Sequence, residues 1–502
     1  MDPDHTETLE RELKFEAPMG RALPDLRDLV GRTERLPERR LQTAYFDTPG
    51  QGLWERGLTL RHRQLEDEEG GTWTLKLPSS TSVGPLTRME VSWPGARDHV
   101  PKAATDLLRG IVRQSHLRQL VELVTVRQRL AIHDERDELF AEIDDDLVFV
   151  VGGPRDGFQF RQVELEFQND RDRNGDIESR LDDAGFRVEP VPKFAKALGL
   201  SEPIDELPRA SRRAPLAIVV QLALRAGFAR LIDHDWRLRL SMPNPSPHDV
   251  HQARVATRRL RSDVKTFRRV LDPVWVRHVR ADLKWLGSEL GAVRDVDVLT
   301  GQLKDAPAPL LDRLESQRQA AVVALDDMLS QDRYLKLLDR LNAAAQRPPF
   351  LSGENISPQM EADTALAGLI VDPWRALRRQ VHKAGPEPTD RQLHRIRINA
   401  KQLRYAAETA SPVLGRPATR TAKATEQLQT VLGAHHDAVT AEVWLESQSG
   451  IGNAPQHSTL PAPTAFEAGR LATEQRERQN ELRRRWPQKW KKVQKSMRAL
   501  GV

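Results

Sequence analysis

The stretch Leu9-Glu-Arg-Glu-Leu-Lys-Phe15 places a charged side chain at every second position. Successive side chains of a β-strand point to opposite faces of the sheet. Glu10, Glu12 and Lys14 therefore share one face of a strand, and Leu13 and Phe15 share the other. The alternation predicts a strand with one charged and one apolar face.

Similar period-two segments, separated by Gly and Pro, continue to about residue 200 and predict an antiparallel sheet or barrel. They cover residues 9–15, 58–63, 72–77, 124–132, 138–150 and 158–167. Two helical stretches, around 24–29 and 102–116, are expected between them. Beyond residue 215 the apolar period is 3.6 and strand signals vanish, so the rest of the chain is predicted to be helical.

The charged strand faces differ in sign from one segment to the next. For any single strand, the alternative is an ordinary solvated face. Carboxylate pairs on facing strands would bind divalent cations through hard oxygen ligands, whereas basic pairs would bind phosphate oxygens. A closed sheet with both sets inside would be a tunnel for a metal-bound polyanion, the setting that phosphoryl transfer requires. Besides Glu10, Glu12 and Lys14, the charged positions are Arg61, Arg63, Lys76, Arg88, Glu90, Arg127, Arg129, Glu142, Asp144, Asp146, Glu164 and Glu166.

This ordered set resembles the CYTH, or triphosphate tunnel metalloenzyme, superfamily. Glu10-Arg-Glu-Leu-Lys14 matches the ExExK signature of that family, and further matching segments follow at residues 45–48, 53–63, 74–76 and 164–166. The resemblance covers roughly residues 5–200. It implies an eight-stranded antiparallel tunnel that hydrolyses a triphosphate with Mg²⁺ or Mn²⁺.

Residue roles follow from this resemblance. It implies a catalytic set of Glu10, Glu12, Lys14 and Glu166, in which Glu166 or a second metal activates water. The implied metal ligands are Glu10, Glu12, Asp144, Glu164 and Glu166. The implied phosphate ligands are Lys14, Arg61, Arg63, Lys76, Arg127, Arg129 and Lys193, with Arg88 as a further member.

The segment Pro192-Lys193-Phe194 takes the place of the Ser-Lys-Tyr segment in the plug helix of the family. Lys193 is therefore implied to reach the substrate. The family's two hydroxyl groups are absent here, so any role they have is lost or moved.

The helical half contains a repeated basic stripe. His251, Arg254, Arg258 and Arg261 recur 143 residues later as His394, Arg397, Lys401 and Arg404. Each set spans roughly an 80° arc of a helix. The segments Leu-Gly-Ala at 290–292 and 432–434, with Asp295 and Asp437, repeat at an offset of 142. Two nearly equal offsets imply an internal duplication, and two helical bundles related by a pseudo-two-fold axis are its natural architecture.

A stripe of one sign is repulsive unless an anion compensates it, because solvated helix faces usually alternate their charges. We therefore expect an anion on this stripe, although a solvated face is the alternative. For the histidines the alternative is capping or core hydrogen bonding. His435 and His436 are adjacent and do not share a helix face, which argues against zinc.

The pair of repeats resembles the CHAD domain, a conserved-histidine α-helical module often fused to CYTH, over roughly residues 215–500. The resemblance implies that inorganic polyphosphate binds in a basic cleft between the bundles. His436 takes the position in the second repeat that Arg294 holds in the first. The implied polyphosphate ligands are His251, Arg254, Arg258, Arg261, Arg294, His394, Arg397, Lys401 and Arg404.

Composition agrees with two functions on one chain of 502 residues. Residues 1–210 hold 30 Lys and Arg against 41 Asp and Glu, and residues 211–502 hold 47 against 31.

The chain contains no cysteine, which excludes disulfides, thiolate metal sites and cysteine nucleophiles. The sequence contains no run of about 18 apolar residues and no signal-peptide core. We therefore expect a cytoplasmic location and no membrane partner.

The predicted fold class is thus α+β, with two domains. We expect a CYTH-like tunnel over 1–205, a linker over 206–216 and a CHAD-like helical domain over 217–502, whose repeats cover about 217–345 and 360–502. Trp486 and Trp490, in the basic stretch 483–495, are expected to pack inward on a helix; a nucleic-acid-binding tail is the alternative.

The expected function is metal-dependent hydrolysis of a triphosphate, with polyphosphate binding by the helical domain and association with polyphosphate granules. Inorganic triphosphate is favoured because no motif for an adenine or thiazole group is found. The alternative is a non-catalytic polyphosphate-anchoring protein whose tunnel senses a ligand. Nucleic-acid binding is disfavoured because aromatic residues make up only 5% of the chain and no base-stacking motif is found.

Overall fold

The computed structural model describes residues 5–66, 68, 70–78, 86–168, 174–200, 210–351, 357–449 and 460–501. The chain divides into two compact units, Met1–Glu206 and Leu207–Val502. Of the predicted linker 206–216, residues 206–209 lie outside the described part of the chain. The first helix of the second unit begins at Leu216.

Eight antiparallel strands of the first unit form a closed barrel. They follow one another in the order β5-β4-β3-β2-β6-β7-β8-β1, and β1 pairs with β5 to close the ring. This confirms the predicted antiparallel barrel. The strands are β1 (Thr6–Glu16), β2 (Arg32–Asp47), β3 (Thr59–Leu65), β4 (Thr72–Lys76), β5 (Leu86–Pro94), β6 (Arg118–His133), β7 (Leu139–Val151) and β8 (Gln159–Phe167).

Short elements cover the outside of the barrel. A two-residue strand, β9, adds to the edge of β1. The helix α3 contributes Ile177 and Leu181 to a core formed with Phe15, Ile143 and Leu165 on the outer faces of the strands. The short elements are β9 (Arg187–Val188), a 3-10 helix (Trp54–Arg56), α1 (Lys102–Leu107), α2 (Arg109–Val112), α3 (Asn174–Asp183) and α4 (Lys193–Leu198).

The apolar faces are thus buried outside the strands, which leaves the charged faces inside. The strand registers fix which charges meet: Glu12 lies opposite Glu166, and Lys14 lies opposite Glu164. Asp144 lies opposite Glu164 on the other side of β8. Charged residues of several strands are therefore neighbours across the barrel interior.

Two local predictions differ from the structure. The stretch 24–29 forms no helix, because the Asp25 carboxylate accepts the backbone N–H of Arg27 at 3.0 Å and stabilises a turn instead. No strand was predicted over β2, and of β5 only the charged pair Arg88 and Glu90 was recognised. The alternation of β2 is obscured by the polar run 34–40, and a register shift between Leu36 and Arg39 interrupts its pairing with β6.

The second unit is helical, as predicted. Helix α6 begins after Ser246, whose hydroxyl accepts the backbone N–H of His248 at 3.2 Å. The two-fold relation of the repeats stays a prediction. The helices are α5 (Leu216–Leu240), α6 (Pro247–Thr266), α7 (Pro273–Gln302), α8 (Ala308–Ser330), α9 (Asp332–Gln346), α10 (Ala362–Ala384), α11 (Asp390–Leu414), α12 (Arg416–Ser449) and α13 (Ala462–Ala499).

The tryptophans of α13 face the protein interior. Trp486 and Trp490 are both buried, and the Trp490 ring lies 5.4 Å from that of Trp374 on α10. The predicted inward packing is confirmed. Among the helices in the described ranges, none combines the length and apolar character needed to cross a bilayer.

Candidate active site in the barrel and a cationic track in the helices

Two groups of three carboxylates meet inside the barrel. Glu10, Glu12 and Glu166 place oxygen atoms within 4.8 Å of one another, and Asp144, Glu164 and Glu166 do the same. Glu166 belongs to both groups. All five predicted metal ligands are therefore brought together, although they come from three different strands.

Glu12 is the most completely buried of these carboxylates, with 0% of its surface exposed. Neither of its oxygens accepts a hydrogen bond from the described residues, although Lys14 Nζ lies 2.7 Å from Oε1. One oxygen of Asp144 also lacks a donor in this part of the chain. Buried carboxylate oxygens without donors are costly unless a cation approaches them, so the donor set fits a hard divalent metal.

Lysines lie between the carboxylates. Lys14 Nζ is 3.4 Å from Glu164, and Lys193 Nζ is 2.6 Å from Glu164 and 2.7 Å from Asp146. Lys76 Nζ is 2.5 Å from Glu10. The predicted contribution of Lys193 from the plug segment thus agrees with its position, since it reaches the same carboxylate as Lys14.

Arginines complete the lining on the β6 side. Arg127 makes two 2.8 Å hydrogen bonds to Asp146 and also pairs with Asp144. Arg129 contacts Glu142 at 2.5 Å and lies 3.8 Å from Asp144. Arg129 also lines a separate 790 Å³ cleft with Arg35 and Arg161, so it lies at the margin of the carboxylate cluster.

Burial and mutual repulsion divide the carboxylates into two kinds. Burial, followed by the charges of Glu164 and Glu10, raises the pKa of Glu166 to about 6. Burial also raises the pKa of Asp144 to about 7 against the opposing effect of Arg127. For Glu164, burial is outweighed by Lys193, Lys14 and Arg127, which hold its pKa well below the ordinary value. The site therefore combines Glu164, which stays ionised, with Glu166 and Asp144, which bind protons more readily.

Arg63 differs from the other cations of the barrel. Within the described ranges no carboxylate lies at ion-pair distance from it, and its Nε is buried without a hydrogen-bond partner. Burial and the neighbouring Arg61 and Arg127 lower the pKa of Arg63 to about 10. Arg61 has only a 3.5 Å contact with Glu90. These two guanidinium groups are therefore paired with carboxylates less closely than Lys14, Lys76, Arg127 and Lys193 are.

The plug segment closes a small cavity at the side of these cations. The cavity has a volume of about 20 Å³. Phe194, on α4, stacks on Tyr45 at 5.3 Å and meets the Trp54 ring edge-on at 5.1 Å. Phe194 thus packs the plug against the barrel. The lining residues are Lys14, Tyr45, Thr59, Arg61, Lys76, Arg88, Glu164, Pro192, Lys193 and Phe194.

Three residues of this site were not among the predicted site residues. Glu90 contacts Lys76 at 2.7 Å, Asp146 binds Arg127 and Lys193, and Tyr45 lines the plug cavity. Glu90 and Asp146 were recognised in the period-two alternation, but no role in the site was assigned to them. Tyr45 lies in a family-like segment at 45–48, but its contact with Phe194 depends on where the plug helix packs.

In the helical unit the two basic stripes converge. Burial, then Arg397, Arg258 and Arg254, lowers the pKa of Lys401 to about 7. These cations come from α6 and α11, which contact each other, so the two repeats contribute to one group of mutually repelling charges. We call the residues Arg254, Arg258, Arg397 and Lys401 the cationic track.

Glycine makes room for the track on one side. A Cβ atom at Gly291 would lie 2.5 Å from Arg254 Nη1, so a larger residue would displace this guanidinium. Arg254 Nη1 is 3.1 Å from Asp295. The Leu-Gly-Ala segments detected as a sequence repeat therefore position the arginines of the neighbouring helix.

The histidines flank the track in an uncharged form at neutral pH. His394 Nδ1 and His436 Nδ1 are 3.3 Å apart, and burial with the nearby Arg397 lowers the pKa of His436 to about 4. Burial and Arg294 lower the pKa of His251. The charge of Arg294, which matches His436 in the repeat, therefore acts on His251. His435 contacts Asp390 at 3.2 Å instead.

The outer ends of the stripes are not equivalent. Arg404 is held by Glu408 at 2.6 Å and by Glu426 at 2.8 Å. Arg261 is exposed, and no ion pair involving it is found among the residues that the structure describes. Of the two predicted polyphosphate ligands at these ends, Arg404 is therefore already bound by carboxylates.

Comparisons with known proteins agree with this division. The family model of the CYTH domain matches residues 8–178, and that of the CHAD domain matches residues 222–446. Uncharacterized proteins of two Mycobacterium tuberculosis strains, CDC 1551 / Oshkosh and ATCC 25618 / H37Rv, are each 29% identical over 493 residues. Each alignment covers 90% of this chain and 91% of the relative.

Solved structures are similar to parts of the chain. The CHAD domain of the plant Ricinus communis is 24% identical, with a TM-score of 0.45, and the match covers 59% of this chain and 95% of that one. PptA from Streptomyces chartreusis is 21% identical, with a TM-score of 0.43, and the match covers 55% of this chain and 100% of that one. HpAC1 from Hippeastrum is described as a candidate adenylyl cyclase with a dominant triphosphatase activity. It is 15% identical, with a TM-score of 0.25, and the match covers 39% of this chain and 99% of that one.

Proposed function

The chain combines a CYTH domain with a CHAD domain, and on that premise we propose that its barrel hydrolyses inorganic triphosphate while its helical unit binds inorganic polyphosphate. The observation that carries the first half is the cluster of five carboxylates around the buried Glu12, whose oxygens accept no hydrogen bond from the described residues and whose neighbouring cation is Lys14 at 2.7 Å. A site that only bound phosphate would not need such a carboxylate cluster.

Mg²⁺ or Mn²⁺ fits this donor set, and Glu10, Glu12, Asp144, Glu164 and Glu166 would hold it. When bound, such a metal neutralises phosphate charge and lowers the pKa of water. The identity of the metal is part of the proposal, since both ions prefer oxygen ligands.

The side chains of the barrel then bind and orient the substrate. Arg61 and Arg63 donate hydrogen bonds to phosphate oxygens, because their guanidinium groups have the weakest internal pairing. Lys14 and Lys193 stabilise the charge that spreads over the transferred phosphoryl group. Glu166, which lies between the two carboxylate groups, accepts the proton of the attacking water.

The plug cavity supports an inorganic substrate. Its volume of about 20 Å³ is close to the space of one water molecule. The stacked Phe194 and Tyr45 rings leave no space there for an adenine or thiazole ring. The same volume is too small for a triphosphate, so the phosphate chain would lie in the charged interior of the barrel, and the closed end argues only against a ring attached to it.

A phosphate-release panel tests the hydrolase proposal. Inorganic triphosphate, ATP and thiamine triphosphate would each be offered with Mg²⁺, with Mn²⁺ and with a chelator present. We expect metal-dependent release that is fastest from inorganic triphosphate. Binding of triphosphate without turnover under any metal would instead favour the non-catalytic alternative, in which the barrel senses a ligand.

The cationic track supports the second half of the proposal. Buried Nε atoms of Arg258 and Arg397 have no hydrogen-bond partner among the residues described. Linear polyphosphate offers repeated acceptor oxygens that would satisfy them. Titration of the full chain with fluorescently labelled long-chain polyphosphate in metal-free buffer tests this, and the expected result is saturable, salt-sensitive binding. Absence of binding at low salt would refute it.

Binding of this kind would also bring the protein to polyphosphate granules. Fluorescence microscopy of the tagged full chain in cells that accumulate such granules checks this expectation, and a diffuse signal would contradict it.

A further inference from the structure

The basic stripe of the first repeat is longer than that of the second. The spacing of Arg254, Arg258 and Arg261 along α6 continues to Lys265, and Arg268 follows in the turn after the helix. At 1.5 Å per residue, the cations from Arg254 to Lys265 extend along about 17 Å of helix. The equivalent continuation of α11 consists of Glu408 and Ser411, so the second repeat loses its positive charge at this end.

The neighbouring helices repeat the same difference. At the offset of 142 residues, Lys284 on α7 corresponds to Glu426 on α12, and Arg280 corresponds to Ala422. Each repeat thus has the same scaffold positions, but one carries cations where the other carries carboxylates or an apolar residue.

The side-chain contacts at the corresponding ends of the two repeats agree with these differences in sequence. Glu408 and Glu426 both bind Arg404, which neutralises the end of the second repeat. Burial and the charges of Arg280, Arg268 and Arg261 lower the pKa of Lys265, so the corresponding residue of the first repeat is surrounded by cations. The Nε atom of Arg280 is buried without a hydrogen-bond partner within the described ranges.

A cleft continues from these cations. It has a volume of about 380 Å³ and lies between α6 and α10. Lys265 and Arg268 line one wall, and Arg375 and Arg379 line the other. Its carboxylate, Asp372, is 3.7 Å from Arg268 and 2.9 Å from Arg269. Four cations therefore face a cleft in which one carboxylate is already paired.

We propose that a linear polyphosphate chain runs through the helical unit in one direction, leaving the cationic track past Arg261, Lys265 and Arg280 into the cleft against α10. This rests on the proposed polyphosphate binding and adds the path of the chain. The end of the second repeat is closed to the chain, because Arg404 is bound by two carboxylates. We call Lys265 and Arg280 the extension.

The test compares chain lengths, because only a chain longer than the track can reach the extension. The double variant Lys265→Gln with Arg280→Ala removes two extension charges. A matched control, Lys304→Gln with Arg230→Ala, removes two exposed charges elsewhere. Affinity would be measured in metal-free buffer for long-chain polyphosphate and for a chain that spans only Arg254 to Arg261, about 10 Å. Any binding in the barrel is common to all variants and cancels in the comparison.

We expect the extension variant to lose about tenfold in affinity for the long chain, with a salt slope smaller by about 1–2, and to bind the short chain as the wild type does. The control should behave as the wild type with both chains. The reciprocal variant Glu426→Lys, which gives the second repeat the residue of the first and releases Arg404, should strengthen long-chain binding. Thermal unfolding of each variant checks that the fold is intact.

Three outcomes would overturn the path. The first is that the extension variant loses equal affinity for both chain lengths, and the second is that its affinity for the long chain is unchanged. The third is that single-stranded DNA of matched length binds as tightly as polyphosphate and responds to the variants in the same way. The last would make the surface a nucleic-acid site. If the wild type bound neither polyphosphate, the proposed function itself would fail, which is a distinct result.

Discussion

The barrel and the helical unit both concentrate charge, but they balance it in different ways. Inside the barrel, cations and carboxylates are interleaved, and Lys14, Lys76, Arg127 and Lys193 each contact at least two carboxylates. In the cationic track, burial and neighbouring cations lower the pKa of Lys401. One site is nearly neutralised from within, whereas the other holds positive charge that is only partly compensated, by Asp295 beside Arg254.

This difference has a consequence for binding. A phosphate that binds Lys14, Lys76, Arg127 or Lys193 must displace internal carboxylates from these cations, and a divalent metal on those carboxylates makes the exchange favourable. A polyanion that enters the track displaces no carboxylate from Arg258, Arg397 or Lys401. It relieves repulsion instead. The barrel should therefore depend on metal, and the track should not.

Metal removal is expected to have the largest effect and to separate the two regions completely. Exhaustive treatment with a chelator should abolish triphosphate hydrolysis, because without a metal the carboxylates remain paired with the cations that would bind the substrate. Polyphosphate binding by the same sample should be unchanged. Phosphate release and fluorescence titration measure the two activities side by side. Loss of both would mean that the track also needs a metal, and the comparison would fail.

Substitution within the carboxylate cluster should have the next largest effect. Glu12→Gln removes the charge of a fully buried carboxylate whose oxygens accept no hydrogen bond from the described residues. We expect a loss of at least about 100-fold in kcat/KM, as when a single transition-state contact is removed. Glu7→Gln on the exposed outer face of the same strand is the matched control and should retain full activity.

The thermal stability of Glu12→Gln distinguishes a functional from a structural role. Removing this charge relieves repulsion from the neighbouring carboxylates but also removes its 2.7 Å pair with Lys14, which keeps Glu164 at 3.4 Å, so the unfolding temperature should change little. A variant that unfolds at a clearly lower temperature would show that Glu12 holds the barrel together through Lys14.

The barrel interior could be predicted from the sequence because its signal is local. Residues two apart on a strand share a face, so Glu10, Glu12 and Lys14 needed no knowledge of the rest of the fold. The contacts between strands were harder. That Arg129 pairs with Glu142 at the margin, or that Glu90 contacts Lys76, depends on which strands are neighbours and in which register.

The helical unit shows the same limit more strongly. The stripes were visible as helical spacing within α6 and α11. The neutralisation of Arg404 was not predicted, because Glu426 lies on a different helix and meets Arg404 only when α11 packs against α12. The turn at 24–29 was missed for a local reason, since a side-chain hydrogen bond from Asp25 competes with a short helix that has little cooperativity.

Removal of two track cations should have an intermediate effect that is confined to polyphosphate. In Arg258→Ala with Arg397→Ala, two charge-assisted contacts are lost, each contributing about 1.5–3 kcal/mol. We expect about 100-fold weaker polyphosphate binding or more, with unchanged triphosphate hydrolysis. The unfolding temperature should not fall, because the deleted cations repel Lys401 and each other. A parallel loss of hydrolysis would show that the two sites are not independent.

The smallest effect should be a pH dependence of polyphosphate binding due to Lys401. Burial and Arg397, Arg258 and Arg254 lower its pKa to about 7, so the unbound protein loses this charge as the pH rises through 7. A bound polyanion favours the protonated amine and raises its pKa, and affinity should therefore fall as the pH rises, by up to about tenfold per unit. Measurement between pH 6.5 and 8.5 stays above the titration of His394 and His436, whose pKa values are lowered below the ordinary value.

The variant Lys401→Arg isolates this contribution, because arginine remains protonated throughout the range. Any titration of the polyphosphate itself affects both proteins equally, so the difference between their pH profiles reports Lys401 alone. We expect the profile of the variant to be the flatter of the two, with the affinities converging at low pH. Identical profiles would show that Lys401 is already charged in the free protein, and the track would then hold less uncompensated repulsion than its packing indicates.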